Sequence, residues 1–301
     1  MTSYDTAATV IDRAPPRRNY EAADIHFIAS RAMTYLLALT ACTVVGFPLF
    51  WMVICSFKPA TELYMSPPTF LPQQWTLQNY RDLFLQTRFP TYFLNSLIVA
   101  FGATLLSLLV GGLGAYSLSR FRFFGISGFS TVTLFCYMLP EVLIVIPLYI
   151  YVVQFGLADT LFSLIVANTA FTLPLALWFM RSYFNAIPVT LEESAMIDGC
   201  TRLQAMWKVT VPLAVPGLVS VSVFSFNHAW NEFLFALVFT SSERNKVLPL
   251  GLATWIGQDN IYSWGMLLAS AVLVTLPVLV FYLAVQKRLV VGMTEGASKG
   301  E

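Results

Sequence analysis

The chain has 301 residues, of which 57% are hydrophobic and 11% charged, with a formal net charge of +1. A soluble domain is about one quarter charged, so this chain carries less than half the usual share. Those figures exclude a disordered polyelectrolyte and, with no basic run present, a nucleic-acid-binding protein; an all-α integral membrane protein is the expected class.

Met1 to Arg31 is too polar for a cleavable signal peptide and reads as a flexible tail, the first span then acting as an uncleaved insertion signal. A helix needs about 20 apolar residues to cross the hydrocarbon core. Six stretches qualify, at 33–56, 94–118, 130–153, 161–183, 213–240 and 264–286. The expected organisation is a tail over 1–31, a six-span body over 32–290 and a second tail over 291–301. Cys42, Cys55, Cys136 and Cys200 form no CxxC pair, and three of them lie in apolar runs as small hydrophobes.

After the first span, "MSPPTFLPQQWTLQNYRDLF" is proline-rich and then amphipathic, as suits a segment lying at the outer interface. In the second span Ala103, Ser107, Gly111, Ala115 and Ser119 recur every four residues. Such a stripe lets another backbone approach closely, inside the bundle or from a different subunit. Pro140 and Pro147 interrupt the third span, and Glu141 beside them either satisfies the broken helix or lines a path.

The fifth span carries Asn227, His228, Asn231 and Glu232, two pairs at i,i+4 spacing. A charge at mid-bilayer costs about 2.5–3.5 kcal/mol, so Glu232 should face a cavity, a partner helix or the outer interface. Amide and carboxylate groups suit sugar hydroxyls, and Trp230 or Tyr137 could stack on a ring face. An interhelical hydrogen-bond cluster would use the same residues equally well. Ser241 to Ser263 then reads as an outer loop. With both termini inside, twelve of the 17 basic residues are cytoplasmic and five are outside, which orients the chain by the positive-inside rule.

Between spans four and five lies "PVTLEESAMIDGCTRLQAMWKVTVPLAVPG", residues 188–217. A connector needs about 2–8 residues, and this one spells two capped helices. Thr190-x-x-Glu193 reads as a capping box, Gly199 as a left-handed stop after Asp198, and Thr201-x-x-Gln204 as a second box. The second helix carries Leu203, Met206, Trp207 and Thr210 along one side and is expected to end at Pro212. The segment predicts a rigid, water-facing peg.

"EESAMIDGCTRLQAMWKVTVPLAVPG" resembles the EAA motif of ABC importer permeases, matching at Glu192, Glu193, Ala195, Asp198, Gly199 and Pro212, with Ser194 where the motif usually has alanine. "SFKPATELY", "WTLQNYRDLF", "NHAWNEFLFALVFT" and "QKRLVVGMTEGASKG" are similar to the MalG-type subunits of carbohydrate-uptake importers. The resemblance implies a type I permease fold, six spans with a cytoplasmic coupling helix–turn–helix, in a bacterial cytoplasmic (inner) membrane. It implies a coupling helix seated in a cleft of a cytoplasmic ATPase, with Glu192 and Glu193 pairing with basic residues there and Ala195 and Gly199 allowing close approach. Gly292, Thr294 and Gly296 match a tail that reaches between two ATPase subunits, and the 241–263 loop stands where such subunits touch a binding protein. The implied partners are a MalF-like second permease, a homodimeric ATPase, an extracytoplasmic solute-binding protein and membrane lipid. A P-loop needs Gly-Lys-Ser/Thr and no lysine here follows a glycine, so ATP and Mg belong on the partner, and no cofactor is expected on this chain.

A glycerol-phosphate or other non-sugar permease of the same family is the nearest alternative. A stand-alone secondary transporter would need internal repeats with broken helices at matching positions, and the halves show none that convinces. An intramembrane enzyme would need a motif such as HExxH or GxSxG within its spans, and none of the six stretches carries either.

Overall fold

The computed structural model describes residues 20–122, 124–257 and 264–297, and among them every regular element is helical. The chain forms α1 (Tyr20–Ser56), α2 (Ala60–Leu63), α3 (Gln78–Gln86), α4 (Phe89–Arg120), α5 (Ile126–Tyr137), α6 (Glu141–Gln154) and α7 (Leu161–Ala186). The polar segment follows as α8 (Val189–Ile197), α9 (Arg202–Ala205), a π turn (Met206–Thr210) and α10 (Val211–Leu213). Then come α11 (Val215–Asn231), α12 (Leu234–Phe239), α13 (Leu248–Gly257) and α14 (Trp264–Ala297).

Among the described residues four helices are long and apolar enough to cross a membrane unbroken, Arg31–Ser56, Phe89–Arg120, Leu161–Ala186 and Trp264–Lys287. The expected third span is a pair, α5 and α6, bent by 99° at a break before Glu141. Pro140 makes that break as the N-cap of α6, and Pro147 is carried inside α6 without ending it. The expected fifth span, 213–240, is also not one helix: α11 stops at Asn231, Glu232 is extended, and α12 restarts at Leu234. Glu232 turns back on that restart, its carboxylate accepting from the Phe235 amide at 2.7 Å and the Ala236 amide at 3.3 Å. The buried glutamate is therefore the cap that permits the break.

Further differences concern the ends and loops. α1 is already helical at Tyr20, inside the stretch expected as a tail, while residues 1–19 lie outside the described residues. The stretch expected as a second tail is helical through Ala297, so Gly292, Thr294 and Gly296 lie on the backbone of α14. The expected outer loop contains a 3₁₀ turn at Glu243–Asn245 and the ten-residue α13, and Asp259 and Asn260 fall outside the described residues. The amphipathic piece after the proline-rich stretch is α3, which lies against α14.

The chain divides into two compact units, residues 1–51 and 52–301. In the first, the large apolar side chains of α1 from Met33 to Phe50 are exposed, a surface suited to hydrocarbon or another apolar chain. In the second, α4 and α7 form the most extensive pair, joined by α11. The small-residue stripe explains this. Ala103, Ser107, Gly111 and Ala115 are all buried, Ser107 Oγ lies 2.8 Å from Thr172 Oγ1, and a Cβ at Gly111 would sit 3.0 Å from Ala176 Cβ. The stripe thus packs inside this chain, with a hydrogen bond across it that is worth about 0.6 kcal/mol in comparable membrane interfaces.

Gly111→Leu should force α4 and α7 apart, an overpacking cost of about 1–3 kcal/mol, and lower the Tm of the detergent-solubilised protein. Gly112 is the control, because nothing lies within 4 Å of a Cβ built there. Gly112→Leu should leave Tm nearly unchanged, and equal losses from both substitutions would contradict this packing.

Candidate functional site

α8 starts differently from the reading of its sequence. Pro188 is the N-cap, with no side-chain cap bond, and fixes the entry by its own backbone (φ −58°, ψ 132°). Thr190 lies inside the helix, where its carbonyl accepts from Ser194 Oγ at 2.9 Å, and the Thr190–Glu193 capping box does not form. The far end follows expectation. Gly199 has φ +92°, its amide bonds Met196 O at 3.1 Å, and the Cys200 amide bonds Ala195 O at 3.0 Å. The second box is present, with Gln204 N donating to Thr201 Oγ1 at 3.3 Å and Thr201 N donating to Gln204 Oε1 at 2.9 Å.

Pro212 does not end the second helix. The π turn over Met206–Thr210 shifts the bonding by one residue, so that Val211 N donates to Met206 O. Pro212 then sits in the first turn of α10, where a missing donor costs little. The break comes at Ala214, and the two segments meet at 77°. The π turn also divides the expected stripe: Met206 and Thr210 are buried, while Leu203 and Trp207 are exposed.

Glu192 is the pivot of this region and points inward. Its side chain is 3% exposed and so is that of Arg120, whose Nε donates to Glu192 Oε1 at 2.7 Å. Thr210 Oγ1 donates to the same oxygen at 2.6 Å, and Tyr116 Oη to Oε2 at 2.8 Å. The rest of the guanidinium is used as well, Nη1 donating to Phe184 O at 2.9 Å and Nη2 to Ile187 O at 3.1 Å. Burial pushes the Glu192 carboxyl up, but its bonds from Thr210, Arg120 and Tyr116 outweigh this and hold it below the ordinary range. A buried pair satisfied so fully is stable as a unit, whereas removing one partner strands a charge at a cost of about 3–5 kcal/mol. Glu192 is thus unavailable to a basic cleft, which corrects its expected role. Arg202 Cζ lies 5.2 Å from the Phe121 ring centroid, a second tie between this segment and the end of α4.

The outward face holds the remaining motif residues. Glu193, Asp198 and Gly199 are exposed and Ala195 is half-buried. Among them stand large apolar side chains, Ile197 at 86% exposure, Leu203 at 59% and Trp207 at 51%.

The residues singled out in the middle of the chain separate into three fates. Tyr137, Glu141 and His228 come together: Tyr137 packs on Phe171 and Phe224, His228 stacks on Phe171 at 4.8 Å, and its Nδ1 is 3.7 Å from Glu141 Oε1. Asn227 and Asn231 are exposed on α11, with Asn231 Nδ2 bonding Asn227 O at 2.8 Å and Oδ1 at 3.2 Å. Trp230 and Glu232 are buried, Trp230 between Phe93 and Phe226 at ring separations of 5.9 and 5.8 Å. Trp230 therefore cannot stack on a sugar, and Glu232 serves its helix cap. Among the described residues no cluster of His, Cys, Asp or Glu could hold a metal ion.

At the other end of α4 a second polar cluster fixes the segment before α13. The Asp159 carboxylate accepts from Ser241 N, Ser242 N and Ser242 Oγ, each at 3.0 Å. The Ser242 amide leads the bonds that hold this carboxyl down at about 2. Asn95 Nδ2 donates to Arg244 O and Lys246 O at 2.8 Å, Leu248 N donates to Ser96 Oγ at 2.8 Å, and Tyr92 Oη donates to Glu243.

Broken and unbroken apolar spans, tied to an exposed helix pair by a buried ion pair, define a multi-pass membrane protein. Residues 104–293 match the model of the binding-protein-dependent transport system inner membrane component. The chain belongs to that family, and is an inner-membrane permease subunit of an ABC importer. It is 42% identical to the inner membrane ABC transporter permease protein YcjP of Escherichia coli (strain K12), over 84% of this chain and 91% of that one. It is 35% identical to the trehalose/maltose transport system permease protein MalG of Thermococcus litoralis, over 91% and 99%. Its fold matches that of a chain in a bacterial ABC transporter involved in the import of the acidic polysaccharide alginate, with a TM-score of 0.72 and 24% identity over 91% and 99%.

Open space surrounds the position of a Cβ at Gly199, so substitution there acts through the backbone alone. Gly199→Val should loosen the turn by about 1–2 kcal/mol, the cost of a left-handed L-residue, and Gly199→Asn by much less. Hydrogen exchange of amides 195–204 measures this; equal exchange in the two variants would contradict a left-handed requirement.

Proposed function

We propose that this chain forms half of a translocation path for a sugar or related polyol and takes its drive from a separate ATPase that grips the α8–α9 turn. The observation that carries this is the surface of the turn. Ile197, Leu203 and Trp207 stand exposed beside Glu193 and Asp198 on a segment whose other side is locked into the bundle. Large apolar groups held rigid on a water-facing tip suit a docked protein better than solvent. In this reading Glu193, Ala195, Asp198 and Gly199 meet the ATPase cleft, and the end of α14, with Gly292, Thr294 and Gly296, reaches the same partner. Both termini are then cytoplasmic, ATP and Mg belong to a homodimeric ATPase, and this chain binds no cofactor.

The sugar class rests on what two of the similar proteins handle, trehalose or maltose in one and alginate in the other. A MalF-like second permease closes the path, which on this side is offered Asn227, Asn231, Tyr137 and His228. An extracytoplasmic binding protein meets the segment clamped by Asp159.

The test is reconstitution with the ATPase and second permease that co-purify with this chain and with a cognate binding protein, measuring ATP-driven uptake of maltose, trehalose, diacetylchitobiose, glycerol and glycerol 3-phosphate. Uptake confined to a saccharide or polyol is expected, and uptake of glycerol 3-phosphate alone would overturn the sugar class. Gly199→Asp tolerates the left-handed backbone yet adds a carboxylate at the tip. It should lower uptake by about 5-fold or more, the scale of a coupling free energy of 1–3 kcal/mol; wild-type uptake with the ATPase bound would overturn the docking face.

A further inference from the structure

The polar segment is attached to the bundle covalently at two places, the end of α7 and the start of α11. The structure adds a third attachment that the chain path does not supply. Arg120 is the last residue of α4, a helix separated from Glu192 by 72 positions. Its guanidinium bonds the Glu192 carboxylate together with two carbonyls at the end of α7, that of Phe184 and that of the C-cap Ile187. The carboxylate in turn takes Tyr116 from α4 and Thr210 from the π turn. One ion pair therefore joins α4, α7, α8 and the π turn, and Met206 and Phe184 pack into the same buried cluster as Tyr116.

The opposite end of α4 is as closely held. Tyr92, Asn95 and Ser96, in its first two turns, bond Glu243, the carbonyls of Arg244 and Lys246, and the Leu248 amide. Between these ends α4 is an unbroken 32-residue helix, about 48 Å long at 1.5 Å per residue. Of the other routes out of the polar segment, α11 begins after a 77° bend and stops at Asn231, and α7 is unbroken but shorter, 26 residues with Pro174 inside it.

We propose that Arg120 and Glu192 are positioning residues that make α4 the rod carrying movement of the coupling segment to the 243–248 segment at the far side of the membrane. Neither touches the transported solute or, in this arrangement, the ATPase. Their function is to fix α8 to the end of α4 so that a push on the tip moves the far end as one body. The fork of arginine matters here, because a lysine could not satisfy a carboxylate and two carbonyls in these directions.

This inference rests on the ATPase-docking reading above, and its test keeps the two apart. The full complex in lipid nanodiscs is compared without nucleotide and trapped with ATP and orthovanadate, and hydrogen exchange is followed at residues 92–96 and 243–248. In the wild type, trapping should change exchange there. An absence of any change, with nucleotide trapped, overturns the α4 route, while failure of the ATPase to bind the wild-type chain overturns the docking reading instead. In Glu192→Gln the ATPase should still co-purify, the far-end change should be lost, and solute moved per ATP hydrolysed should fall about 5-fold or more. A purely structural role would reduce the amount of complex but leave that ratio and the far-end change intact, which would overturn the proposal. If Glu192→Gln fails to assemble, Tyr116→Phe decides by the same readings, since it removes a single hydroxyl from the carboxylate. A wild-type ratio and a wild-type far-end change in Tyr116→Phe would then be the overturning result.

Discussion

The Arg120–Glu192 pair is the constraint on which the arrangement at the coupling end depends. A carboxylate buried at the base of a water-facing helix is tolerable only with its oxygens filled, and three donors from two directions fill them. Arg120 also relieves the end of α7, whose final carbonyls have no partner within the helix. α8 can leave that end at a fixed angle because the guanidinium occupies the corner, and Pro188 sets the backbone beyond it. The turn at Gly199 and the box at Thr201 then inherit a defined position. Without the pair, the segment would be tied to the end of α4 only by Arg202 on Phe121 and by the apolar packing around Met206.

Much of this was legible in the sequence, and the part that was not has a physical reason. Apolar length found the four unbroken spans and the two bent helix pairs of the described residues, because the bilayer imposes a minimum that few other structures meet. Gly199 and Thr201–Gln204 were readable because positive φ and reciprocal capping are local demands met by adjacent residues. The small stripe on α4 was readable as a packing face, though only the structure assigns it to α7. Glu192 reads as outward because the apolar residues of its helix gather on no one face, with Val189, Leu191 and Ile197 themselves exposed, so no periodicity marks its inner side. Its partner Arg120 resembled one more charge at the end of a span. A bond between positions 72 residues apart leaves no local mark. The same limit explains Thr190: it fits a cap, but the proline two residues earlier already starts the helix.

The breaks illustrate how a membrane helix can stop inside a bundle. Pro140 interrupts the path between α5 and α6 by removing a donor, and the corner is filled by rings, with Tyr137 and His228 both against Phe171. At Asn231 no proline is needed. Glu232 supplies acceptors to the first amides of α12, which would otherwise be unpaired in an apolar setting. That buried glutamate, costly as an isolated charge, is thus explained by the backbone it satisfies. Trp230 beside it is held in a stack of aromatic rings against α4 and α14.

With those two residues committed to structure, the chemistry left exposed on α11 is Asn227 and Asn231. Amides facing outward from a membrane helix are expensive against lipid and inexpensive against water or another polar surface. They are spaced one turn apart and bond to each other, which lowers that cost while leaving acceptor capacity free. A cavity of about 310 Å³ adjoins Asn227, between α11 and α14, with Thr275 and Tyr282 on its other side. The rest of its lining is mostly apolar, from Val223, Phe226, Val278, Leu279 and Phe281, so Asn227 is a polar group set in an apolar wall. The polar bonds that fix this chain thus gather at the two ends of α4, while the amides of α11 lie exposed on a face that the described residues leave uncovered.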